Sequence, residues 1–275
     1  FFVRANTLGT MLFFTNKGKV YSERVFELPE EARQGRGIPL VNILNLEPDE
    51  TITALLPVES FSDAKFCALV TKLGRIKRVP MSDFESVRPS GLIAIRLNDG
   101  DELGWVRMTS GQDDLLLVTR KGKALRFHEK QVRPTGRTTM GVTGISLRGD
   151  DQVAALEVAE PEGYLFVLTE KGQGKRTSLE EYIPKTRGTL GVTTINQDVR
   201  ESVGDIAEAR VVLDGEEVTI ISRGGIVLRT KVAEISVQGR STQGVKIMEL
   251  GEGDSIAAIA RISREEVELS EQTNA

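Results

Sequence analysis

Arginine stands four positions after a recurring glycine: Arg78 after Gly74, Arg126 after Gly122, Arg176 after Gly172 and Arg229 after Gly225. The first copy of the pattern, at Gly18, carries Ser22 there instead. Lys17, Lys19, Lys72, Arg75, Lys121, Lys123, Lys171, Lys175 and Arg223 crowd the same short stretches. A second recurring stretch adds Arg33, Arg36, Arg88, Arg137, Arg187 and Arg240. Fixed cations with no nucleophile or base among them neutralise anions. Cations repeated at a constant interval suit a uniformly charged polyanion, of which a nucleic-acid backbone is the clearest case. The competing reading is that lysine and arginine keep exposed strand edges soluble and unpaired. Repetition in register along the whole chain favours the phosphate reading.

Other chemistry finds little support. The chain has one histidine, His128 in LRFHEKQV, and one cysteine, Cys67 in FCALV, which reads as core. A zinc site would need further ligands of these types, and a Ser–His–Asp triad would have to use His128 with no nucleophile-elbow sequence beside it. GQGKRT (172–177) resembles a phosphate-binding loop only superficially, because Thr169 stands where the loop's first glycine belongs. Carboxylate pairs such as Asp150–Asp151 fall in acidic turns and read as solvated. The expectation is no active site, no metal and no cofactor in this chain.

The spacing that organises the cations also sets the elements. An apolar run, Thr or Ser, glycine three positions later and then basic residues recur as LFFTNKGKVYS, ALVTKLGRIKR, LLVTRKGKALR, FVLTEKGQGKR and TIISRGGIVLR. Their glycines, Gly18, Gly74, Gly122, Gly172 and Gly225, lie 56, 48, 50 and 53 residues apart. A second clause closes on Gly37, Gly91, Gly141, Gly191 and Gly244, at steps of 54, 50, 50 and 53. Two anchors with one period identify a repeat architecture. The runs are short, β-branched and bounded by turn residues, so each repeat predicts a hairpin, a third strand after its second glycine, and a fourth after an acidic turn such as DGDELGWVRM. Four strands in about fifty residues make an all-β, propeller-like blade. ELPEEARQ and SLEEY predict at most a turn or two of helix. The opening FFVRANT reads as a strand entered midway.

The repeats predict one domain over 1–262, with units at about 8–60, 61–110, 111–160, 161–213 and 214–262, followed by an acidic tail, 263–275. With 39% hydrophobic and 28% charged residues among 275, the composition is that of a soluble globular protein. A single cysteine fits a reducing compartment. No run approaches the roughly 20 apolar residues of a membrane span. The formal net charge is −4, but the tail holds four glutamates against one arginine. The remainder is nearly neutral, so polyanion binding requires a segregated basic surface.

These residues also carry a family likeness. RVFELPEEARQGRGIPLVNILNLEPDETITALLPV (24–58), GKALRFHEKQVRPTGRTTMGVTGISL (122–147) and RTKVAEISVQGRSTQGVKIM (229–248) closely resemble blades of the C-terminal domain of DNA gyrase A subunits. The likeness covers essentially the whole chain. It implies a β-pinwheel whose basic rim bends double-stranded DNA, so that an ATP-dependent type IIA topoisomerase can introduce negative supercoils. It also implies that the hairpin lysines and arginines above form that rim. The implied partners are DNA, the gyrase B subunit, and the breakage-reunion part of the A subunit, in the cytoplasm at the nucleoid. ATP and magnesium would act elsewhere in the holoenzyme. The catalytic tyrosine motif is absent, as Tyr21, Tyr164 and Tyr182 lie inside repeats. The chain departs from the family in lacking its Gln-Arg-Arg-Gly-Gly-Arg-Gly box, of which RQGRG (33–37) is a partial echo. Alternatives are the equivalent domain of topoisomerase IV and a protein-binding propeller. The latter should show exposed aromatics, which make up only 5% of the residues.

Overall fold

The computed structural model describes residues 3–30, 37–265 and 267. Among them are nineteen strands and only single turns of helix. The first repeat supplies β1 (Thr10–Thr15), β2 (Lys19–Arg24) and β3 (Ile52–Val58), and the second β4 (Phe66–Thr71), β5 (Arg75–Pro80), β6 (Leu92–Ile93) and β7 (Leu103–Thr109). From the third come β8 (Asp114–Thr119), β9 (Lys123–His128), β10 (Val142–Thr143) and β11 (Val153–Val158). The fourth gives β12 (Tyr164–Thr169), β13 (Gln173–Ser178), β14 (Val192–Thr193) and β15 (Ile206–Val212). The fifth gives β16 (Glu217–Ser222), β17 (Val227–Lys231), β18 (Val245–Lys246) and β19 (Ile256–Ile262).

The strands form five antiparallel sheets, but the four-strand blade is not the sequence repeat. Sheet orders are β3-β1-β2-β6, β10-β5-β4-β7, β11-β8-β9-β14, β15-β12-β13-β18 and β17-β16-β19. The two-residue strand after the second glycine of repeats two to five pairs with the hairpin of the preceding repeat. Val20 lies opposite Leu92, Ile76 opposite Val142, Ala124 opposite Val192 and Gly174 opposite Val245. Each four-stranded blade is therefore completed by a strap from the next repeat, and the fifth sheet has three strands. The expected leading strand does not form over residues 3–7, and Phe1 and Phe2 lie outside the described residues.

The recurring glycines are the points where strap and hairpin cross. The hairpin glycine's carbonyl accepts a strap N–H: Ala94 on Gly18 at 2.8 Å, Gly144 on Gly74 at 2.7 Å, Thr194 on Gly122 at 2.9 Å and Ile247 on Gly172 at 2.9 Å. The strap glycine lies equally close from the other side. A Cβ on Gly191, whose φ is +72°, would stand 2.4 Å from the Ala124 carbonyl. The Thr or Ser before each hairpin glycine accepts the amide of the residue after it, from Lys19 on Thr15 (3.3 Å) to Ile226 on Ser222 (3.1 Å). Three acidic turns do similar work: Asp254 accepts Gly224 N–H at 2.7 Å, Asp101 accepts Leu73 N–H at 3.0 Å and Asp151 accepts Lys121 N–H at 2.9 Å. Asp101 and Asp151 are buried, correcting the solvated reading, while Asp150 is exposed.

The chain divides into two compact units, one of Phe1–Asp113 and Glu129–Gly144, the other of Asp114–His128 and Ile145–Ala275. The first holds the two sheets of β1 and β4. Its core joins Leu12, Phe14, Leu56, Cys67, Leu69, Phe84 and Val106, with Phe14 and Phe84 edge to face at 5.7 Å. The second holds the sheets of β8, β12 and β16. Leu116, Val167, Tyr182, Ile206 and Val211 form one of its clusters, and Phe166, Leu168, Ile220 and Ile259 another. Of the predicted helical turns, SLEEY holds the 3-10 turn Leu179–Glu181, whereas ELPEEARQ has only Glu27 in a 3-10 turn, Val25–Glu27, no helix over 28–30, and its residues 31–34 outside the described ones. A four-residue α-helix, Arg200–Val203, occupies the irregular acidic turn of the fourth repeat. No helix among the described residues is long and apolar enough to cross a membrane.

Candidate nucleic-acid interface

The repeated arginine faces inward in both units. In the first unit Arg78 is 3% exposed and pairs with the fully buried Glu129, Nη1 to Oε2 at 2.6 Å. Its Nε donates to Val132 O at 2.7 Å, and its guanidinium lies 4.5 Å over the Phe66 ring. In the second unit Arg176 is buried, pairs with Asp214, donates from Nε to Ile235 O at 2.8 Å and stacks on Tyr164 at 4.6 Å. Arg126 is half-buried between Asp114 (2.9 Å) and the carbonyl of Leu179 (3.1 Å). In each case the arginine ties its own hairpin to the turn that follows the next repeat's hairpin. Arg229, in the fifth hairpin, is exposed and pairs with Glu217 across its own hairpin. Arg78 and Arg176 are therefore interior ties, and their guanidinium donors are spent inside the protein.

Lys175 is likewise fully buried, and the structure adds Lys77 at the equivalent position, three residues after the hairpin glycine. Burial pulls both ammonium groups down to about 8, against the nearby carboxylates of Asp83 and Glu181, which pull them up. An unfolded lysine titrates near 10.4, so between about pH 8 and 10 the unfolded chain holds more protons than the folded one. Stability contributed by these residues must then rise with pH across that window. Urea denaturation at pH 8.0 and 9.5 should show the rise, and its loss when both lysines become methionine. Tyr182, pushed up to about 12, stays protonated throughout. Cys67, pushed up by burial, contributes equally to both proteins and cancels in the difference.

The remaining basic residues sit at the surface or partly exposed. Lys17 is exposed at the first hairpin and donates to Pro48 O at 2.6 Å; Lys19 pairs with Glu47 at 2.5 Å, and Lys72 with Glu102 at 2.8 Å. Lys121 pairs with the exposed Asp150, and Lys123 donates to Thr193 Oγ1 at 2.9 Å. Lys171 is exposed and donates to Glu201 O at 2.7 Å. Arg75 holds the strap carbonyls of Met140 (3.1 Å) and Gly141 (2.7 Å). Exposed pairs of this kind contribute roughly 0–1 kcal/mol, so a phosphate can replace the carboxylate at little loss. Arg137, Arg187 and Arg240 lie half-buried on the loops leading into the straps, and Arg223 is exposed at the fifth hairpin. Arg88, and with it Arg133, which spacing alone does not mark as a ligand, are exposed on the same loops. Arg33 and Arg36 lie outside the described residues. Among the described residues no three His, Cys, Asp or Glu side chains group so as to hold a metal ion.

The family model described as DNA gyrase C-terminal domain, beta-propeller matches residues 10–59, 66–110, 113–160, 163–212 and 216–263, one match per repeat. The chain belongs to the DNA gyrase C-terminal domain family. The DNA gyrase A protein of Halalkalibacterium halodurans is 53% identical over 266 residues, 97% of this chain and 32% of that protein. Its counterpart from Clostridium acetobutylicum is 43% identical over 98% of this chain, again 32% of its own length. The chain thus spans about a third of the curated relatives it matches. A solved DNA gyrase A C-terminal domain superposes with a TM-score of 0.83 at 25% identity, covering 94% of this chain and 84% of that one. The C-terminal domain of a DNA topoisomerase IV superposes at 0.85 with 25% identity, covering 98% and 84%.

Proposed function

We propose that this chain binds double-stranded DNA without regard to sequence and bends it along the surface-facing lysines and arginines of its hairpins and straps. The carrying observation is that every repeat of a gyrase-family fold presents cations on its hairpin or the loop into its strap, after the buried arginines are set aside. The DNA-contacting set is then Lys17, Lys19, Lys72, Arg75, Arg137, Lys121, Lys123, Lys171, Arg187, Arg223, Arg229 and Arg240, joined by Arg88 and Arg133. Arg126, Lys175, Arg78 and Arg176 belong to the scaffold. Within a longer gyrase A protein, beside the breakage-reunion part and the gyrase B protein, the bend would present a DNA crossing of fixed hand for ATP-driven negative supercoiling. The domain contributes no reacting group to that step. Its setting would be the cytoplasm, at the nucleoid.

Affinity for a random-sequence duplex of about 40 base pairs, titrated across a salt series, tests this. Log affinity should fall with log salt at about −0.9 per phosphate neutralised. A slope of roughly −4 or steeper, equal for unrelated sequences, is the expected result. Reversing Arg88, Arg133 and Arg223 to glutamate should weaken binding and flatten the slope while the fold persists. Absence of binding at low salt would overturn the proposal. A second reading, the equivalent domain of topoisomerase IV, has the comparable superposition behind it but fits less well than the high-identity gyrase A relatives. Ligation of nicked plasmid around the bound protein separates it, because a consistent linking-number change requires wrapping.

A further inference from the structure

We propose that Lys77 and Lys175 are positioning residues of the DNA interface. Each uses its ammonium group to fix the loop that carries a DNA-contacting arginine, Arg137 in one unit and Arg240 in the other. The proposal rests on the DNA-binding reading above. Lys77 Nζ donates to the carbonyls of Ala94 (2.9 Å), Arg137 and Thr139 (3.2 Å). Lys175 Nζ donates to the carbonyls of Gly239 and Arg240, both at 2.6 Å, and to Thr242 Oγ1 at 2.9 Å. Three hydrogens meet three acceptors in both places. Each time one acceptor is the backbone carbonyl of the arginine itself, so the tie acts at the residue whose guanidinium must be aimed.

A requirement of folding alone does not account for lysine here. The same position holds Leu125 in the third repeat and Leu228 in the fifth, on hairpins that pair normally. A buried ammonium also carries a large desolvation penalty that leucine avoids. The loop over Leu125 is built alike and carries Arg187, so what sets the two lysine repeats apart is the ammonium that reaches up to the loop. Residues between Pro134 and β10, and between Val237 and β18, form no helix or strand. Their ends are held by other bonds: Thr135 N–H on Arg78 O (2.9 Å) and Arg75 on the carbonyls of Met140 and Gly141 in the first, and Gln238 N–H on Arg176 O (2.9 Å) with Arg240 N–H (3.1 Å) and Nε (3.7 Å) on Glu181 in the second. A hollow of about 110 Å³ lies under the first loop, lined by Ile76, Lys77, Arg133 and Thr139 among others. Without the ammonium that loop has room to shift. The Arg137 side chain has no partner among the described residues, so its direction depends on its backbone.

The test is a mutant cycle in the full 275-residue chain. Lys77→Met should weaken binding of the 40-base-pair duplex about as much as Arg137→Ala does. One phosphate contact at 0.1 M salt corresponds to about eightfold, and the salt slope should flatten by about 0.9. Combined with Arg137→Ala, Lys77→Met should change nothing further, since it acts through that arginine. Lys175→Met and Arg240→Ala should behave the same way. Amide exchange should rise at residues 137–141 or 239–244 and stay unchanged in the hairpin strands. If a methionine variant misfolds, leucine, already accommodated in two repeats, takes its place. Wild-type affinity and slope in the lysine variants, or losses that add fully to those of the arginine variants, would overturn the proposal. Failure of the wild-type chain to bind duplex sinks the DNA-binding reading instead. In that case unchanged exchange at the two loops also removes the loop-holding role, whereas faster exchange keeps it.

Discussion

Glu129→Ala should destabilise the first unit by about 3–5 kcal/mol, the largest effect expected of any single side chain here. Glu129 is fully buried, and three donors converge on it: Arg78 Nη1 at 2.6 Å, Thr109 Oγ1 at 2.7 Å and the Asp113 amide at 2.9 Å. Its removal leaves a guanidinium in a low-dielectric interior with no counter-charge, together with two orphaned donors. The loss is of the same order as the total stability of an ordinary domain. Trp105, the only tryptophan, lies on β7 in the same unit and reports its unfolding by fluorescence during urea denaturation. The double variant Arg78→Met/Glu129→Met should recover much of the loss, because an apolar pair of similar size avoids the desolvation penalty. A Glu129→Ala midpoint equal to wild type would show that the buried pair contributes nothing net.

Gly172→Ala and Gly225→Ala should differ sharply although both glycines occupy the same turn. Their φ values are +80° and +88°, so alanine meets the left-handed penalty of about 1–2 kcal/mol at either place. At Gly225 nothing lies within 4 Å of the added Cβ. At Gly172 the Cβ would stand 2.3 Å from Met248 O, on the strap that pairs with β13. Displacing that strap adds overpacking of about 1–3 kcal/mol and weakens the Gly172 carbonyl's bond to Ile247 N–H. Thermal unfolding should therefore place Gly172→Ala well below Gly225→Ala. Equal melting temperatures would mean that the strap moves aside freely.

Much of this architecture is legible in the sequence because two glycines and a Thr or Ser per repeat are backbone requirements, and backbone requirements leave invariant marks. The hairpins, the acidic turns and the all-β class follow from them. Strand exchange between repeats does not, since Leu92–Ile93 reads the same whether it pairs with its own hairpin or the one before. The placement of the repeated arginine is hidden for a different reason. Period-two alternation separates core from surface only when one face of a strand is wet. β5 and β13, which carry the lysine and arginine, are buried at four successive positions each, so alternation carries no information about which cation points out. The Lys-Arg dipeptides 77–78 and 175–176 are the available clue. Leucine at the lysine position in two other repeats marks it as interior.

Completion of each blade by the following repeat sets an order in time. Lys19 waits for Ile93, 74 residues later, before its outer edge is covered. At synthesis rates of about 5–20 residues per second, that edge stays open for about 4–15 s on the ribosome. Each of the first four hairpins is thus an unfinished template until its successor emerges, and the second clause of repeats two to five serves the repeat already made.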